Sequence, residues 1–146
     1  NFIKNIILIV ENEKNLKILN KHSFTKNIHF LGFRKNALNI VKSCDIFLLT
    51  SIKGESITKS VIEAMCLGLA PVISDIIGNK ELVVDRESGL VVPSKNSKKF
   101  AEALNELYSN RKLLEHIKIN APKHIANRLS HDNTVKKYEK FYKTIA

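Results

Sequence analysis

Tryptophan is missing from this chain, tyrosine occurs three times and cysteine twice. The two cysteines, Cys44 and Cys66, lie in separate apolar stretches and form neither a Cys-x-x-Cys pair nor a Cys/His pattern. That excludes a zinc ribbon and a disulfide framework, and it fits a reducing, cytoplasmic setting. The five histidines, His22, His29, His116, His124 and His131, show no metal-ligand spacing, so no bound metal is expected. Long apolar runs are missing as well: none approaches the roughly 18 residues that a membrane-spanning helix needs. The opening residues 1–10 are too short, and lack a small-residue cleavage site, for a signal peptide. The few aromatics and the lack of a recognised nucleic-acid motif weigh against an RNA- or DNA-binding module.

What is present is an ordinary globular composition. The 146 residues are 44% hydrophobic and 26% charged, enough for one domain with a real core. The formal net charge is +10, and residues 98–146 hold 11 of the 24 basic residues but only five of the 14 acidic ones. Such an excess attracts phosphates or an anionic membrane surface. Lysines mostly solvate surfaces, however, and the abundance of lysine, asparagine and isoleucine makes much of the charge compositional.

Along the chain, strand and helix patterns alternate. Residues 6–10 read as a strand and 12–22 carry helical spacing through Leu16, Ile18 and Leu19. A second strand over 28–31 ends at Gly32, and a short helix spans 36–42. The third strand, residues 45–50, is continuously apolar, which predicts burial on both faces. A polar loop at 51–56 leads to a helix over 58–67, stopped by Gly68. Strands over 71–74 and 89–92 follow, and beyond Ser97 the pattern is helical, with breaks near Asn110 and at residues 128–130. Repeated βα units of this kind predict an α/β fold: a Rossmann-like open parallel sheet with helices on both faces and a helical C-terminal end. Ligands in such sheets sit beyond the carboxyl ends of the strands.

The segment after the third strand has the features of a phosphate site. A loop of small polar residues runs into a helix start, where free backbone N–H groups and the positive end of the dipole favour anions. Ser56 or Thr58 can cap that helix. Lys59 either adds a charge to the pocket or faces solvent. Glu55 and Glu63 stand eight residues apart, a spacing that ten glutamates in 146 residues produce roughly 0.6 times by chance. Their context is more telling than the spacing. Glu55 precedes the helix terminus, and Glu63 follows one turn into the helix, where a carboxylate can accept from a sugar diol or pair with a neighbouring cation.

Four blocks then follow in order: Glu55-x7-Glu63-Ala64-Met65, Gly68-Leu69-Ala70-Pro71-Val72-Ile73, Ile77-Gly78-Asn79-Lys80-Glu81-Leu82-Val83 and Ser88-Gly89-Leu90-Val91-Val92-Pro93. Together they resemble glycosyltransferase family 4, and a looser likeness extends over nearly the whole chain. The resemblance implies residues 1–146 as a single nucleotide-sugar-binding domain, the C-terminal half of a GT-B fold, from a retaining hexosyltransferase of polysaccharide biosynthesis. It implies that Glu55 touches the transferred sugar and steadies an oxocarbenium-like transition state. Backbone amides of Ser56, Ile57 and Thr58 would face sugar hydroxyls, those of Lys59 and Ser60 would meet the diphosphate, and Glu63 would hold the ribose. Arg34 sits where the family contacts the base through its main chain.

No metal and no cofactor is implied beyond a UDP- or GDP-sugar co-substrate. The acceptor is expected to be a carbohydrate or lipid-linked sugar held by an N-terminal domain. That domain, with the first βα unit and its diphosphate-clamping Arg and Lys, precedes the strand at Ile6 in the family. The resemblance therefore makes the chain a fragment, inactive when isolated. It also implies a cytoplasmic location at the inner face of the cell membrane, as a peripheral contact. One departure stands out: the family often has Glu-Gly-Phe-Gly where this chain has Glu55-Ser56-Ile57-Thr58, so less close backbone approach is available to a sugar. The alternative reading is a non-catalytic nucleotide-binding domain or a basic nucleic-acid-binding α/β module, the latter marked by strongly salt-dependent binding.

Overall fold

A computed structural model describes residues 6–8, 27–53, 58–79 and 81–145. The chain falls into two compact units, Asn1–Ile40 and Val41–Ala146. In the first, β1 (Ile6–Leu8) pairs in parallel with β2 (Ile28–Phe30), Ile6 opposite Ile28 and Leu8 opposite Phe30. The helix expected over 12–22 and the end of the strand expected over 6–10 lie outside the described residues. The short helix α1 (Ala37–Val41) falls where the apolar spacing put it.

In the second unit β3 (Ile46–Leu49), β4 (Ala70–Ser74) and β5 (Leu90–Val92) form a parallel sheet with β4 in the centre. Helix α2 (Lys59–Cys66) links β3 to β4, and α3 (Ser97–Ser109), α4 (Arg111–Leu129) and α5 (His131–Ile145) follow β5. Successive side chains of a strand point to opposite faces, so the register sorts the core into two layers. Ala70, Val72, Leu90 and Val92 face Phe100 and Leu107 of α3 and Leu114 and Ile117 of α4. Ile73 and Val91 face the other way, with Phe47 and Leu49, against Val61 and Met65 of α2 and Ala121 and Ile125 of α4. Helices thus cover both faces of the sheet, as the alternating pattern predicts.

Helix α4 serves both layers from a single stripe at helical spacing, Leu114 and Ile117 in one and Ala121 and Ile125 in the other. It does so by crossing the amino ends of the strands. A β-carbon placed on Gly68, just ahead of β4, would lie 3.7 Å from the Lys118 carbonyl and 4.0 Å from Pro122 Cγ. At the start of β3, Asp45 Oδ1 is 2.8 Å from Lys118 Nζ. The opposite, carboxyl ends of the strands are left to the loops.

Local chemistry sets the boundaries. Gly68 adopts φ 79° and closes α2, with its N–H on the Met65 carbonyl and the Leu69 N–H on the Ala64 carbonyl, each at 3.0 Å. The Asn96 and Asn110 side chains accept the Lys99 and Leu113 N–H at 3.0 Å and start α3 and α4. One expectation needs correction. β4 is buried along its whole length, whereas β3 is only half-buried, with Leu48 40% exposed. The covering helices α3 and α4 sit over β4 and β5 on that face, and among the described residues β3 pairs only with β4.

The bridge to Asp45 raises the Lys118 pKa, chiefly through the hydrogen bond. A raised lysine pKa adds stability below the unfolded value, and that stability is lost as pH rises through the folded one. Asp45 is 62% exposed, so the pair contributes only about 0.5–1 kcal/mol. Lys118→Met should melt below wild type by that amount at neutral pH. The gap should close at strongly alkaline pH, and a gap that persisted there would assign the loss to packing instead.

Candidate functional site

Loops beyond the carboxyl ends of parallel strands are where ligands bind in such folds. Two of them are tied together here: Asp75, after β4, accepts the Ser94 N–H, after β5, on Oδ1 at 2.8 Å. Asp75 therefore has a structural task. The Ser88-Gly89 block likewise builds a turn. Ser88 Oγ accepts the Val84 N–H at 2.9 Å, Asp85 Oδ1 accepts the Val91 N–H at 2.8 Å, and Arg86 completes the turn at φ 63°. Glu81 pairs loosely with Arg128, at 3.9 Å.

The start of α2 is different. Thr58 is its N-cap, in an extended conformation (φ −81°, ψ 112°), yet its side chain makes no capping bond. The Thr58 carbonyl takes the Val61 N–H at 3.1 Å, and among the described residues no acceptor meets the Lys59 and Ser60 N–H groups ahead of it. Val61, Ala64 and Met65 are the buried face of α2, which turns Lys59, Ser60 and Glu63 outward along a common side. Lys59 Nζ lies 3.4 Å from Glu63 Oε1, with the lysine side chain 89% exposed and the glutamate 33%. The Lys59 side chain is thus largely exposed to solvent. The pair itself is an exposed i,i+4 bridge worth about 0.3–0.5 kcal/mol, and a carboxylate has a second oxygen with which to accept from a hydroxyl.

Thr58 instead spends its hydroxyl proton on the loop after β4, donating to Asn79 Oδ1 at 2.6 Å. Asn79 is fully buried, and its Nδ2 meets no hydrogen-bond partner among the described residues. The residue stands within one of the four sequence blocks, but nothing local marks its partner, which is 21 positions away. Ser74 Oγ, at the end of β4, is a second buried polar atom without a partner among the described residues.

Four of the expected site residues, Thr58, Lys59, Ser60 and Glu63, are thus brought together at one end of α2. Glu55, Ser56 and Ile57 lie outside the described residues. Arg34 belongs to the unit Asn1–Ile40; it is exposed, and its carbonyl accepts the Ala37 N–H at 3.3 Å. Burial pushes the Cys44 thiol above its ordinary pKa, and Asp45 adds to that against a hydrogen bond with Ser43, which disfavours the thiolate. Among the described residues no three His, Cys, Asp or Glu side chains gather as a metal site, and no helix is long and apolar enough to cross a membrane.

Against known proteins, residues 4–124 match the family model described as glycosyl transferases group 1. Over 96% of its length the chain is 31% identical to an uncharacterized glycosyltransferase of Methanocaldococcus jannaschii, covering 37% of that relative. It is 33% identical to the N,N'-diacetylbacillosaminyl-diphospho-undecaprenol alpha-1,3-N-acetylgalactosaminyltransferase of Campylobacter jejuni, over 79% of this chain and 30% of the relative. In fold it is similar to Anabaena HepE, solved in complex with UDP-glucose. There the TM-score is 0.79 over 97% of this chain and 40% of the other, at 21% identity. The chain spans less than half the length of each.

Proposed function

Since the chain belongs to the group 1 glycosyl transferases, we propose that it is the donor-binding, C-terminal domain of a retaining enzyme of glycosyltransferase family 4. The reaction is transfer of a hexose from a UDP- or GDP-sugar to a carbohydrate or lipid-linked acceptor. The observation that carries this reading is the start of α2, reached from the carboxyl end of β3, where the Thr58 side chain makes no capping bond, with Glu63 one turn further on the outward side. A helix terminus of that kind receives a diphosphate, and a carboxylate beside it suits a ribose diol.

Catalysis then consists of positioning and electrostatics, with Glu55 facing the charge that develops on the sugar and donor phosphate oxygens assisting the acceptor's deprotonation. No metal or cofactor takes part in this scheme. The acceptor is held by an N-terminal domain. The Campylobacter relative is named for a diphospho-undecaprenol-linked acceptor, and a lipid-linked acceptor at the inner face of the cell membrane fits the net charge of +10. The cytoplasm is the corresponding location.

The test is calorimetric titration of the chain with UDP, GDP, ADP and their sugars at physiological salt. One nucleotide should bind saturably, and Glu63→Ala should weaken it about tenfold, the loss of a hydrogen bond to a charged group. Binding by none of the nucleotides, repeated on a chain extended upstream, would retire the reading. Tight, salt-sensitive binding to DNA or RNA in its place would favour the nucleic-acid alternative.

A further inference from the structure

The Asn79 carboxamide has one end fixed and the other unused. Its Oδ1 is held by the Thr58 hydroxyl at 2.6 Å, while Nδ2, buried, has no acceptor among the described residues. A buried N–H is rarely left unpaired without a reason. The bond to Thr58 also places this amide at the N-cap of α2, beside the N–H groups of Lys59 and Ser60 that begin the helix. What gathers there is a set of donors at the positive end of a helix. A phosphate oxygen carries negative charge and only accepts, so a set of donors at the positive end of a helix favours it over a neutral hydroxyl.

We infer that Asn79 is a diphosphate-binding residue: Thr58 orients its amide, and its free N–H donates to a phosphate oxygen of the bound nucleoside diphosphate. This rests on the donor-site reading above and adds a residue from a different loop to it. The backbone supports such a role. The Asn79 N–H is engaged by the Ile76 carbonyl at 3.2 Å and its own carbonyl by the Leu82 N–H at 2.9 Å, so the side chain projects from a fixed turn. It also explains why the Thr58 side chain, though well suited to capping, makes no capping bond to its own helix.

Asn79→Asp separates this role from a structural one. The aspartate keeps an acceptor for the Thr58 hydroxyl but replaces the N–H donor with a carboxylate oxygen, which repels a phosphate. Whichever of UDP, GDP and ADP binds the chain best is titrated into wild type, Asn79→Asp, Asn79→Ala and Glu63→Ala. Both Asn79 variants should lose about tenfold or more in affinity, the scale of a charge-assisted hydrogen bond. The deficit of Asn79→Asp relative to wild type should shrink as pH is lowered and the carboxyl regains a proton to donate. If Glu63→Ala weakens binding while Asn79→Asp binds within about twofold of wild type at every pH, the role of Asn79 is overturned and the donor site stands. If wild type binds none of the three, and a chain extended upstream binds none either, both fall together. Should the aspartate variant fail to fold by circular dichroism, Asn79→Ala and Asn79→Ser are judged by the same affinity criterion.

Discussion

Replacing Gly89 by alanine should destabilise the chain by about 2–4 kcal/mol, at the upper end of what one added methyl group does in a packed core. A β-carbon at this position would lie 2.6 Å from Pro71 Cγ, 2.7 Å from the Pro71 carbonyl oxygen and 2.7 Å from Val83 Cγ1. The side-chain contacts could be relieved by small shifts. The carbonyl could not, because it belongs to β4, the central strand, buried along its length and paired on both sides. Gly89 cannot retreat either: its own carbonyl receives the Arg86 N–H at 2.7 Å inside the turn that leads to β5. Total stabilities of domains are of order 5–15 kcal/mol, so the loss should be plain in a urea titration as a lower midpoint with an unchanged slope. A change under about 0.5 kcal/mol would mean that the turn can move away from the sheet, and that the close approach is not what keeps a glycine there.

The second large effect concerns chemistry. In the complete enzyme, Glu55→Gln should lower kcat about 100- to 1000-fold while the KM for the donor changes less than about threefold. Glutamine keeps the size and the hydrogen-bonding oxygen of the side chain and removes its charge. An interaction present equally in the ground state and the transition state would appear in KM. One that matters only when positive charge builds on the sugar appears in kcat. Steady-state kinetics with the nucleotide sugar identified by titration reads the two apart. Unchanged turnover would remove Glu55 from the reaction and leave the segment as a binding loop alone.

Much of the fold was legible because its signals are local. Gly68 stops α2 through its own left-handed conformation, and Asn96 and Asn110 announce two helices by capping them. The apolar runs at β3 and β4 likewise mark parallel strands without help from elsewhere. The failures are where the deciding partner is distant. Continuous apolarity could not show that Leu48 of β3 would be exposed, since that depends on which strands the helices cover. Gly89 carries no mark of the carbonyl that confines it, because Pro71 lies on another strand. In the candidate site the same division holds. Thr58, Lys59, Ser60 and Glu63 come together because they share one helix end, which spacing alone conveys. Asn79 reaches that end only through the folding of the loop after β4, and neither its burial nor its free N–H has a sequence signature.

Helix α4 has a bearing on the order in which this molecule can be made. Proteins are synthesised from the amino end, and segments that complete a core early can fold while the rest is still emerging. Here neither layer of the sheet is finished until α4 exists, since Leu114 and Ile117 close one side and Ala121 and Ile125 the other. The contact between Asp45 and Lys118 spans 73 positions, and separations of that size slow folding. During translation β3, α2, β4, β5 and α3 therefore emerge before the helix that completes both layers. Both sides of the core depend for completion on one helix laid across the amino ends of strands made long before it.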